Sequence, residues 1–222
     1  MGATKIMVIR HAEKPDTYDL GSYASGAFAG VDLAGDQDAE CLVTLGWQRA
    51  GALVTLFAPP FGPPPGLAQP EHLFAADPTK ASKEPSQRPF ETITAVADRL
   101  RLDIDTSHSK KHYADAVKAA LACDGVVLIS WQHQDVPWTN ADGDPGISQE
   151  ICTQTGTTAP LEIPTTWPSE RYDLVWVFDR PSGAGPVTSF TQIPQQLLAG
   201  DLDSGIGPPF AGPGAPFAGS GA

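Results

Sequence analysis

Arg10 and His11 close a short apolar run near the start of the chain, Arg88 stands at the head of an amphipathic stretch, and His133 follows a second apolar run that ends at Trp131. These residue types suit one kind of chemistry. A neutral imidazole attacks a phosphoryl group most readily when fixed cationic donors take up the charge on its equatorial oxygens. Guanidinium groups serve well there, because each presents a planar fork matched to phosphate oxygens and stays charged at any physiological pH. A second histidine can donate to the same oxygens.

The elements that would position these groups can be read from hydrophobic spacing. Lys5 to His11 is apolar, rich in β-branched residues and ends in charge, which predicts a buried strand with a site at its end. Residues 16–40, rich in Gly, Ala, Ser and Asp, predict a long loop over that strand end. Thr44 to Phe57 carries apolar residues at helical spacing and stops at Pro59, and residues 59–66 (P-P-F-G-P-P-P-G) form a stiff connector. His72 to Ala76 predicts a short strand, and Glu91 to Leu102 and Tyr113 to Cys123 predict crossover helices. Gly125 to Trp131 is the clearest buried strand, followed by Tyr172 to Asp179. This alternation predicts a three-layer α/β/α sandwich around a mostly parallel sheet. Ligands of such sheets sit beyond the carboxyl ends of the strands, which is where His11 and His133 fall.

The 222 residues predict a single domain over 1–204 and a Gly/Pro/Ala-rich tail over 205–222, in which P-F-A-G occurs twice. A net charge of −12 gives no basic face for nucleic acid or an anionic membrane, so an anionic ligand must be held locally. Three widely spaced cysteines form no metal-type pair and leave one over from any bridge, which fits a reduced, cytoplasmic protein. No stretch approaches the length of a membrane span. His108 and His112 have i, i+4 spacing, but Lys110 and Lys111 lie between them and no acidic or thiol ligand accompanies them, so no metal is expected.

The segment V-I-R-H-A-E-K-P (8–15) resembles the R-H-x-E-K-P form of the first motif of the histidine phosphatase, or phosphoglycerate-mutase-like, superfamily. Arg88-Pro-Phe-Glu91-Thr92 is similar to that family's R-A-x-Q/E-T, and Leu128 to Pro137 is similar to its strand-then-histidine element. Residues 172–201 resemble the end of one branch. The resemblance implies His11 as nucleophile, a phosphate pocket of Arg10, Arg88 and His133, and no cofactor or metal. Lys14 is close enough in sequence to add a donor. The expected activity is hydrolysis of a small phosphorylated substrate through a phosphohistidine. A mutase is less expected, since the R-H-G form is absent, and the competing class is a phospho-ligand binding module without turnover. The leaving oxygen needs a proton. Asp135 leads the candidates for that acid, followed by Glu13 and then by Glu91 or a carboxylate of the 16–40 loop such as Asp32. The five tryptophans (Trp47, Trp131, Trp138, Trp167 and Trp176) read mainly as core or loop anchors, and Trp131 and Trp138 bracket His133 closely enough that one of them could wall the pocket.

Overall fold

Ala3–Arg10 forms β1, whose side chains are buried almost throughout, as a central strand requires. The computed structural model describes residues 2–15, 29–79 and 86–207. On one side β1 pairs in parallel with β4 (Gly125–Trp131), and on the other it pairs antiparallel with β5 (Leu174–Asp179). With β2 (His72–Ala75), β3 (Ile104–Asp105) and β6 (Ser189–Pro194) the sheet has the order β3-β2-β4-β1-β5-β6. β5 alone runs against the rest, so the sheet is mostly parallel.

Alternation along the strands feeds two cores. Ile6, Val8, Val127, Ile129 and Trp176 pack beneath α4 (Tyr113–Ala122) and α5 (Ile147–Thr155). Met7, Ile9, Leu73, Leu128 and Val175 face the opposite way, beneath α2 (Val54–Phe57) and α3 (Arg88–Leu100). Helices on both faces of one sheet make a three-layer α/β/α sandwich. A third cluster of Ala12, Leu42 and Ala50 joins α1 (Thr44–Ala52) to the loop after β1.

Several boundaries differ from those expected. The helix expected over 44–57 is divided at Leu53, and α3 begins at Arg88, with Pro89 in its first turn, where a missing amide hydrogen costs nothing. It ends at Leu100, since Arg101 takes the left-handed conformation. β3, α5 and β6 were not foreseen from spacing. α5 offers only Ile147 and Ile151 as a large apolar stripe, too little to mark a helix before its packing is known. Trp131 is a core anchor: it is fully buried, and its indole donates to the Lys110 carbonyl. Residues 59–66 form no helix or strand, and of the tail only 205–207 lie within the described residues. Most of the loop expected over 16–40 also lies outside them.

Candidate active site

Strand pairing sets the site at the carboxyl edge of β1 and β4. Arg10 is in register with Trp131, and the His11 amide continues the ladder by donating to the Trp131 carbonyl at 2.8 Å. The chain leaves both strands there, which delivers His11 and His133 to the same edge. α3 presents its first turn to the same place. Thr92 accepts from the Ala12 amide at 2.8 Å and donates to the Arg88 carbonyl at 2.7 Å, so the loop carrying the histidine is tied to the start of α3.

His11 is almost entirely buried. Its Nδ1 lies 2.7 Å from the Ala12 carbonyl, which can only accept, so Nδ1 carries the ring proton and Nε2 keeps its lone pair. Burial, then the charge of Arg10, pushes its pKa well below the ordinary value, and Arg88 and His133 add to this against the opposing Ala12 hydrogen bond. A neutral ring with a lone pair on Nε2 is the nucleophilic form.

The cations are arranged around it by their own anchors. Arg10 is buried, with its guanidinium carbon 3.6 Å above the centre of the Tyr172 ring, and its Nη1 donates to the carbonyls of Ser169 (2.5 Å) and Arg171 (3.1 Å). The Tyr172 ring is in turn 6.3 Å from that of His11. Arg88 donates to the Ala39 carbonyl at 2.9 Å and lies 3.7 Å from Glu40, while its Nε is buried with no hydrogen-bond partner among the described residues. His133 is likewise buried, and its Nδ1 has no partner among the described residues. Burial, the Arg10 charge and the Lys14 charge together push its pKa down to about 3. Arg10, His11, Arg88, His133 and Lys14 therefore share one electrostatic neighbourhood.

That neighbourhood has a pH signature. A histidine with a depressed folded pKa binds its proton in the unfolded chain first, so stability falls as pH drops from 6.5 toward 3. The His133 share of that loss should reach about 2 kcal/mol at pH 5. His133→Gln is expected to remove this share, read as a shallower decline of the urea midpoint between pH 7 and pH 5. An unchanged decline would show that His133 is not held neutral.

The four candidate acids have different surroundings. Glu13 gives both carboxylate oxygens to Arg49, at 2.8 to 3.2 Å. Glu91 accepts from the Leu42 amide at 2.8 Å and from the Cys41 thiol, which ties α3 to residues 41–42. Asp32 closes its own turn by accepting from the amides of Ala34 and Asp36. Asp135 is buried, accepts from Gln132 at 2.5 Å, and is pushed up to about 6 by that burial. The groups acting most strongly on Asp135 come from Trp131, Gln132, Asp142 and Lys110, and Asp135 lies two residues beyond His133.

Two structural supports had no reading from sequence. Arg49, on α1, is buried and uses all five of its N–H donors: Nε and Nη2 to Glu13, Nη1 and Nη2 to Asp201, and Nη1 to Gln195. Gly46, one turn earlier, lets α1 approach the Glu13 backbone so closely that a Cβ would lie 2.4 Å from the Glu13 carbonyl oxygen. Arg49 could have been suspected from sequence only as a charge on the apolar side of a helix. A cleft of about 1040 Å³ adjoins the histidine, reaching it through Tyr172, Glu13 and Lys14.

No family model and no curated protein matches the chain in sequence. Among solved structures it is similar to a candidate phosphohistidine phosphatase, SixA from Agrobacterium tumefaciens, with 14% identity, a TM-score of 0.40, and coverage of 85% of this chain and 97% of that one. A likeness so remote assigns no role to any residue.

Proposed function

We propose that this chain is a phosphohydrolase of the histidine phosphatase type, in which His11 takes the phosphoryl group and water then removes it. The observation that carries the reading is the His11 ring, held neutral with its proton on Nδ1 and surrounded by Arg10, Arg88 and His133. Arg88 Nε and His133 Nδ1 are the donors for the phosphoryl oxygens, both buried and both lacking a partner among the described residues. Lys14 adds charge at the rim. In the first step the Nε2–P bond forms as the bond from phosphorus to the leaving oxygen breaks. In the second, water replaces Nε2 and inorganic phosphate departs. The direct experiment is to quench the protein during turnover of labelled p-nitrophenyl phosphate and look for an acid-labile phosphoryl group on His11. Turnover with no such adduct in wild type, and equal turnover by a His11 variant, rejects the mechanism.

Asp135 is the proposed proton source for poor leaving groups. Of the four candidate carboxyls it alone is raised to about 6 without being bound to a cation or a backbone amide. An acid must be protonated to act, so turnover of alkyl phosphates should decline as pH rises above about 6. Asp135→Asn should slow alkyl phosphates by about 10²-fold and abolish that decline. p-Nitrophenolate leaves without a proton, so its release should be little affected. Equal slowing of both substrates would place the acid elsewhere.

A further inference from the structure

The cleft beside His11 is built for something other than the phosphoryl group, since Arg10, His11, Arg88 and His133 are all absent from its walls. The two arginines at its floor are already matched. Arg49 is bound by Glu13 and Asp201, and Arg171 donates to Asp173 at 2.7 Å. A second anionic group, such as the distal phosphate of a bisphosphate, would have to break these buried pairs. Lys14, at the end that meets the histidines, is the one lining cation with no ion pair among the described residues.

Above that floor the walls are apolar, with Val31, Val43, Leu45, Leu198 and Leu202 facing the space. Leu45 and Leu202 are about half exposed, at 48% and 49%, so these walls carry two of the few large aliphatic side chains that the described surface leaves to water. Apolar surface concentrated at a concave place next to a reactive group marks a ligand-binding wall. A cleft of about 1040 Å³ is also far larger than a phosphate or a triose needs.

We infer that the cleft receives an uncharged, largely apolar body attached to the phosphoryl group, so that the substrates are lipophilic phosphate monoesters or acyl phosphates rather than bisphosphates or sugar phosphates. This rests on the proposed phosphoryl site at His11. The phosphoryl group meets the histidines, Lys14 lies at the junction, and the body extends between the Leu45 and Leu202 walls. Contacts that the body makes in the cleft replace water on those leucines and leave the buried ion pairs intact.

n-Alkylphosphonates, from methyl to octyl, are suitable probes because they carry the anionic head and cannot be hydrolysed. Their binding is measured by calorimetry on the whole chain, below the critical micelle concentration. The dissociation constant should fall about two- to fourfold for each added methylene, in line with the burial of a CH₂ group. The double variant Leu45→Asp/Leu202→Asp should flatten the series, whereas Phe61→Asp, at an exposed site outside the cleft, should keep its slope. A series with no dependence on chain length, an absence of binding, or equal flattening by Phe61→Asp would overturn the inference. Failure of the phosphohistidine reading is seen separately, as turnover without an adduct on His11. The phosphonate series would still report on the cleft.

Discussion

His11→Asn is expected to lower kcat/KM for p-nitrophenyl phosphate by roughly four to six orders of magnitude, the scale seen when a covalent nucleophile is removed from a preorganised site. Asparagine can still donate from its amide toward the Ala12 carbonyl, so the fold should survive, with a melting temperature within a few degrees of wild type. The loss is then chemical, because Nε2 is the only atom of the ring free to attack when Nδ1–H is bound to Ala12. The expected companion result is retention of phosphate binding, since Arg10, Arg88 and His133 are untouched. A variant that keeps more than about 1% of wild-type turnover would exclude the covalent route.

Arg49→Met should produce the largest loss of stability. The guanidinium joins Glu13 in the loop after His11, Asp201 near the end of the described chain and Gln195 after β6, all from α1. Both carboxylates are largely buried, with side-chain exposures of 12% for Glu13 and 5% for Asp201. Burial pushes the Asp201 carboxyl up, but the Arg49 hydrogen bonds, helped by the amides of Leu197 and Leu198, outweigh it and hold the carboxyl ionised. Methionine fills similar volume yet leaves two buried carboxylates without a counter-charge. Removing one member of such a cluster costs about 3 to 5 kcal/mol. For a chain of this size that corresponds to a fall in melting temperature of roughly 6 to 20 °C, readable by calorimetry. Arg49→Lys should recover only part of it, because one ammonium cannot reach all three acceptors. A fall below about 3 °C for Arg49→Met would show that the cluster is solvated and adds little.

The parts of this molecule visible in its sequence are those where one strong local signal decides the outcome. β1 and β4 are continuous apolar runs, and buried central strands need nothing else to be recognised. Arg10 and His11 stand out in the sequence for the same reason, since charge that closes an apolar run marks where a buried strand reaches the edge of its sheet. α5 and β6 were not legible because neither owns a strong pattern. α5 buries Ile147 and Ile151 as its only large aliphatic side chains, beside Ser148, Cys152 and Thr155, and β6 is half buried along most of its length. Their structure comes from the surfaces that receive them. The reversal of β5 was equally hidden, because an apolar strand reads the same in either direction. Arg49 was missed since its three acceptors are scattered from residue 13 to residue 201, and only the fold brings them within reach.

The place of β1 between β4 and β5 has a bearing on how the chain comes to be folded. β1, made before either neighbour, finds its hydrogen-bonding partners only after residues 125–131 and then 174–179 have been synthesised. Contacts of such long range are slow to close, and on the ribosome the first strand must wait with Ile6, Met7, Val8 and Ile9 unsheltered. His11 thus acquires its setting late, when β5 arrives and carries Tyr172 in beside it. An unfinished chain would hold every histidine and arginine of the site and still have no site.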